Sequence, residues 1–146
     1  MTPENKEYLE KLNLAKNPNT PESILQELAM DGDASIRQEV ATNPSTSLDL
    51  LRVLAKDKYW MVRCKLAQRS NIPLDILRNL ARDSYWVVRG NVILNPNISS
   101  TMLVITLEYE RTLKKPRRNT IRTLYAHKKL PYIAKLIIET LYEELI

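Results

Sequence analysis

The sequence predicts an all-α protein, an α-solenoid of short helical pairs, and three observations carry that prediction. First, one phrase recurs at an interval of 26 residues. Leu28, Asp31, Ile36, Arg37, Val40 and Ala41 are followed by Leu54, Asp57, Val62, Arg63, Leu66 and Ala67, then by Leu80, Asp83, Val88, Arg89, Val92 and Ile93. Self-similarity at a period of about 20 to 50 residues marks stacked units that bury a core none could bury alone. Second, apolar residues inside each copy fall at i, i+1, i+4 and i+5, which is one helical stripe. Third, the 146 residues include only two glycines, a residue that weakens helix interiors.

The elements follow in order. Residues 4–16 read as half a repeat, with Leu14 and Ala15 in the register of Val40 and Ala41 and Lys11 in the arginine slot. Residues 1–19 are therefore expected to cap the stack. Asn17-Pro18 ends that helix, because the residue before a proline is pushed away from helical angles. Thr20 as N-cap and Pro21 at the first helical position open the next helix. Its stripe is Ile24, Leu25, Leu28 and Ala29, repeated as Leu50, Leu51, Leu54, Ala55 and as Ile76, Leu77, Leu80, Ala81. The second helix of each pair is expected near 33–42, 59–68 and 85–94, with Ile36, Val40, Ala41 and their equivalents inside. Two helices per 26 residues leave turns of about two to four residues. Residues 20–98 thus form three regular repeats.

Residues 99–146 read as a degenerate repeat, still part of one domain. The first-helix pattern resumes at Met102, Leu103, Thr106 and Leu107 and runs about two turns further, to Pro116. Arg122 and Ala126 occupy the slots of Arg89 and Ile93 if seven residues have been inserted. Pro131 opens a last helix, expected to cap the stack with Ile133, Leu136, Ile137, Thr140, Leu141 and Leu145 on one face.

Charge is uneven. The net charge is +5, and residues 111–129 hold eight basic side chains and no acid. Cysteine usage is minimal: Cys64 alone excludes an intrachain disulfide and any multi-cysteine metal site. No run of about 18 apolar residues is present, and the N-terminal residues lack the apolar stretch of a signal peptide, so a cytoplasmic location without membrane contact is expected.

The phrase formed by Asp57, Val62-Arg63, Leu66-Ala67 and the following Leu80-Ala81, with Asn43-Pro44 and Asn95-Pro96 in the flanking copies, resembles the leucine-rich repeat variant family, helical relatives of HEAT repeats. The resemblance covers residues 11–107. It implies a right-handed superhelix in which α-helices alternate with shorter, sometimes 3-10, helices. The protein that gave the family its name also carries an iron–sulfur cluster on a cysteine-rich segment. This chain has no such segment, so no cofactor is expected.

Each candidate site residue has two readings. Asp31/Arg37, Asp57/Arg63 and Asp83/Arg89 form a ladder that reads as structural, since buried charges must be paired. Trp60 and Trp86 are expected to pack between repeats, whereas Tyr59 and Tyr85 can grip a peptide or a base. His127 and Cys64 have no arrangement suited to catalysis or to metal binding. Lys114, Lys115, Arg117, Arg118, Arg122, Lys128 and Lys129 repel one another and invite an anionic partner.

The leading expectation is a non-enzymatic protein- or peptide-binding module. The alternative is sequence-independent nucleic-acid binding through residues 111–129, with Lys65 and Arg69 lining a groove. A remote third is an enzyme resembling the HEAT-like alkylpurine DNA glycosylases. That enzyme would need a carboxylate unengaged by arginine.

Overall fold

A computed structural model describes residues 2–146, and among these it contains ten α-helices, one 3-10 turn and no strand. The helices are α1 (Pro3–Lys16), α2 (Glu22–Leu28), α3 (Ala34–Thr42), α4 (Leu48–Leu54), α5 (Trp60–Ala67), α6 (Leu74–Leu80), α7 (Trp86–Ile93), α8 (Ser100–Thr112), α9 (Arg118–Ala126) and α10 (Tyr132–Leu141). A 3-10 turn follows at Glu143–Leu145. Two compact units divide at Arg69 and Ser70.

In the first unit α3 packs against both α1 and α5. Ile36, Val40 and Ala41 of α3 and Val62, Leu66 and Ala67 of α5 are all fully buried. The α2 stripe contributes Leu25, Leu28 and Ala29, and α4 contributes Leu50, Leu51 and Leu54. Thr20 does not cap α2. Pro21 holds that position without a side-chain bond, and buried Thr20 donates its hydroxyl to the Leu14 carbonyl at 2.6 Å, closing the end of α1 instead. Ser47, in the slot of Pro21, does cap its helix, accepting the Leu50 N–H at 3.3 Å.

The turns are longer than expected, because α2, α4 and α6 have only 7 residues each. Residues 29–33 fill the α2–α3 turn and residues 55–59 the α4–α5 turn. Each is a continued helical turn followed by a loop in which an aspartate accepts the N–H two residues on: Asp31 from Asp33, Asp57 from Tyr59, both at 2.8 Å. Self-capping by aspartate stops the helix earlier than apolar spacing suggests.

A second set of bonds ties successive helix ends. Asn43 donates Nδ2 to the Ala15 and Asn17 carbonyls at 2.7 and 2.9 Å. Twenty-six residues on, Arg69 sends Nη1 to the Ala41 and Asn43 carbonyls at 2.8 and 2.9 Å. Arg69 therefore performs the asparagine's role with a longer side chain. It is 9% exposed, its guanidinium turned to these two carbonyls.

In the second unit α7 lies between α6, α8 and α9. Ile76, Leu77, Leu80, Val88, Val92, Ile93, Met102, Leu103, Leu107, Ile121 and Leu124 form the core. Ser99 caps α8 by accepting the Met102 N–H at 3.2 Å. At 13 residues α8 is nearly twice the length of α6, and it ends at Thr112, so Lys114 and Lys115 lie in the loop that follows. On α9 the buried positions are Thr120, Ile121 and Leu124, whereas Ala126 is exposed. The Thr120 hydroxyl is buried without a partner among the described residues.

On α10 the expected face is turned outward. Ala134 and Ile138 are buried, while Ile133, Leu136 and Leu141 are exposed. Apolar residues surround most of this helix, so spacing alone cannot select the buried stripe, and small Ala134 lies on the face that packs against α9.

Candidate binding surfaces

The ladder residues set the floor on which the exposed groups stand. Arg37 donates Nη1 to the Asp31 backbone carbonyl at 2.7 Å, and Nε and Nη2 to the two oxygens of Asp57 at 2.6 and 3.0 Å. The guanidinium thus reaches back to its own loop and forward to the next acid. Arg63 likewise donates to the Asp57 carbonyl and Arg89 to the Asp83 carbonyl, each at 2.6 Å.

Two steps use other residues. Lys11 meets Asp31 at 3.1 Å, and Arg89 meets Glu110 through Nε at 2.7 Å and through Nη2. The carboxyls respond to these contacts. The Asp33 N–H draws Asp31 below the usual carboxylate range, against burial, with Lys11 adding to the effect. Burial pushes the Asp57 carboxyl up, but the Arg37 guanidinium and the Tyr59 N–H outweigh it and hold Asp57 low.

Tyr59 and Tyr85 stand at the N-caps of α5 and α7. The preceding loop aspartate accepts each backbone N–H at 2.8 Å, and the rings are 43% and 49% exposed. In the first unit, residues 29–32 and 53–58 border a cleft of about 340 Å³. Exposed Met30 and Val53 give it apolar walls, Lys56 and Lys58 a cationic rim, and the Arg37–Asp57 pair its floor. An adjoining depression runs to Tyr59.

Trp60 is half-buried on α5, but Trp86, expected to pack away, is 37% exposed. Together with Arg117, Arg118 and Asn119 it lines a cleft of about 240 Å³ in the second unit.

The basic stretch separates into two groups. Arg111 pairs with Glu108, Arg122 donates to the Leu145 and Ile146 carbonyls, and Lys129 donates Nζ to the Ile98 carbonyl at 3.0 Å. These three are occupied within the fold. Lys114, Lys115, Arg117 and Lys128 present their charges to solvent, and Arg118 makes one long bond, 3.4 Å, to the Glu144 carbonyl. Lys65 is half-buried on α5. His127 accepts the Lys129 N–H on Nδ1 at 3.1 Å, and burial, then Lys129 and Lys128, lower its pKa. Cys64 is buried.

Glu110 was missed by sequence reasoning, although it continues the buried series Leu103, Thr106, Leu107 at helical spacing. A fully buried acid on such a stripe signals a buried cation. Among the described residues no three of His, Cys, Asp or Glu are grouped to hold a metal, and no helix is long and apolar enough to cross a membrane. No protein-family model, curated protein or solved structure matches the chain.

Proposed function

We propose that the chain is a non-enzymatic repeat protein that binds an extended, acid-bearing peptide segment of a protein partner in the cytoplasm. The observation that carries this reading is the cleft bordered by Met30, Val53, Lys56 and Lys58 beside exposed Tyr59. Apolar walls with a cationic rim suit alternating apolar and acidic side chains, and an exposed tyrosine at the edge is a common anchor. The 26-residue register supports a right-handed superhelix like that of the leucine-rich repeat variant family, a form that offers extended surfaces. Against the glycosylase reading, Asp57 and Glu110 are held by arginine and Asp31 by lysine.

Selection from a displayed random peptide library tests the reading. Selected peptides are expected to be rich in Asp or Glu, and Tyr59→Ala with Met30→Ser should weaken them by about tenfold or more. Peptides that bind the variant as well as wild type would remove the cleft from consideration.

A second reading, nucleic-acid binding at the α8–α9 loop, is favoured by the solvent-facing Lys114 and Lys115 in a stretch without acids. Fluorescence anisotropy with random oligonucleotides at about 50 and 200 mM salt should then show affinity falling by orders of magnitude. Changing Lys114, Lys115, Arg117 and Arg118 to alanine should remove both the affinity and the salt dependence.

A further inference from the structure

We propose that the cleft between Trp86 and the start of α9 is a nucleotide subsite, with a nucleobase on the indole and its phosphate on Arg117 and Arg118. The inference stands apart from the peptide reading and deepens the nucleic-acid one, because it names a ring-binding surface that basic charge alone does not supply.

Each wall of the cleft offers a different contact. Trp86, at the first position of α7, exposes 37% of its surface, and among the described residues no cation lies over its ring. Every base has a π-face that stacks on such an indole. Arg117 and Arg118 line the same cleft with two guanidinium forks, the donor geometry that matches phosphate oxygens in pairs. Arg118 spends one N–H on a long bond to Glu144 and keeps the rest of its five donors. Asn119 adds an amide able to donate or accept. The cleft, about 240 Å³, has room for one stacked base and not for a duplex. A purely acidic segment such as oligo-glutamate would satisfy the guanidiniums but has no ring or apolar group to lay on the indole face.

The two walls are also fixed relative to each other. Glu110 accepts Arg89 on Oε1 and the Arg117 backbone N–H on Oε2, the latter at 3.0 Å. Arg89 stands on α7, three residues from Trp86, and Arg117 opens α9. A single buried carboxylate therefore locks the helix that carries the ring to the loop that carries the cations. No acid side chain lines the cleft, and Glu110 points its charge into the core. Pre-arranged walls reduce the ordering cost of binding.

The test follows the indole N–H resonance of Trp86 by NMR in the wild-type protein, with Trp86→Phe identifying it beside that of Trp60. The probes are adenosine 5′-monophosphate, an eight-residue oligo(dA), inorganic phosphate and an oligo-glutamate peptide. The nucleotide and the oligonucleotide should shift the resonance. Read by titration calorimetry, Trp86→Ala should weaken both by about tenfold or more while leaving phosphate binding unchanged. Arg117→Gln with Arg118→Gln should weaken all three phosphate-bearing probes.

A response to the mononucleotide identifies a free nucleotide as a sufficient ligand. A response to the oligonucleotide alone identifies a single strand as the source, and either supports the subsite. Oligonucleotide binding that neither moves the resonance nor depends on Trp86 overturns the subsite and leaves the basic-loop reading standing. A resonance moved only by oligo-glutamate, or by no probe, overturns it as well.

Discussion

Arg89 and Glu110 form an ion pair with side chains 1% and 0% exposed, at a sequence separation of 21 residues. Arg37 and Asp57 are 20 residues apart and 6% and 7% exposed. The extra residue moves the acid from a loop onto the body of α8, so the last described arginine of the series is met by a helix rather than by a turn. A second bond, from the Arg117 N–H, makes that one side chain the junction of α7, α8 and α9.

Glu110→Ala should therefore be among the most damaging single changes in the second unit. Removing one partner of a buried pair leaves the other charge uncompensated, at a cost of about 3–5 kcal/mol. Urea unfolding should show the midpoint falling accordingly. Glu108→Ala, which removes an exposed partner of Arg111, should cost less than about 1 kcal/mol.

Acid should weaken the first unit through Asp31 and Asp57. Both titrate lower in the folded chain than an ordinary carboxylate. A depressed folded value means that the stabilisation is fully present above the unfolded value near ~4 and is lost as pH falls through the lower folded one. The stability difference between wild type and Asp57→Asn should hold steady from pH 7 to 5 and shrink below pH 4. Thermal melts across that range measure it.

Arg69 should tolerate asparagine better than alanine. Asn43 makes the equivalent pair of carbonyl bonds with a shorter amide, whereas alanine leaves the Ala41 and Asn43 carbonyls without their donor. Burying unsatisfied carbonyls costs about 1–3 kcal/mol. Denaturant midpoints should rank wild type, then Arg69→Asn, then Arg69→Ala. An Arg69→Asn protein as unstable as the alanine variant would contradict the shared role.

Thr120→Val should stabilise. Its hydroxyl is buried without a partner among the described residues, and valine keeps the shape while removing the unmatched polar atom. The gain should be about 1 kcal/mol, seen as a higher melting temperature.

The helical pairs and their core slots were legible because apolar periodicity is a direct record of burial, and Ile36, Val62 and Val88 fill one slot in three copies. The direction of the ladder was not. In a perfect repeat the six-residue step from Asp31 to Arg37 and the twenty-residue step from Arg37 to Asp57 recur equally often, so either could be the carboxylate contact. Only where the repeat breaks, with Tyr109 in the aspartate slot and Glu110 beside it, does the sequence hint at which step matters. Arg69 hid for a related reason: its charge suggested a surface role, while its position, 26 residues after Asn43, carried the structural one. The exposure of Trp86 is not legible either, because its place two residues before Val88-Arg89 is the place of Trp60 before Val62-Arg63, and that register carries no record of which neighbours each ring meets. The buried face of α10 is hard to read because its apolar arc is wider than one stripe, and Ala134 and Ile138 lie at the edge of that arc beside Lys135 and Glu139.

The forward reach of Arg37 to Asp57 and of Arg89 to Glu110 also bears on how such a chain can lengthen by gene duplication. A copied unit placed between α3 and α4 would bring one aspartate to receive Arg37 and one arginine to meet Asp57, so its charges would balance on arrival. The same copy placed after α7 would give Arg89 the copy's aspartate and Glu110 the copy's arginine, so the charges would balance there too, but Trp86 would be parted from the loop that faces it. Growth by tandem copying is thus neutral in charge at either place, and variation in unit number should be found before α8 rather than within the α8–α9 pair, where it would part Glu110 from the Arg117 N–H.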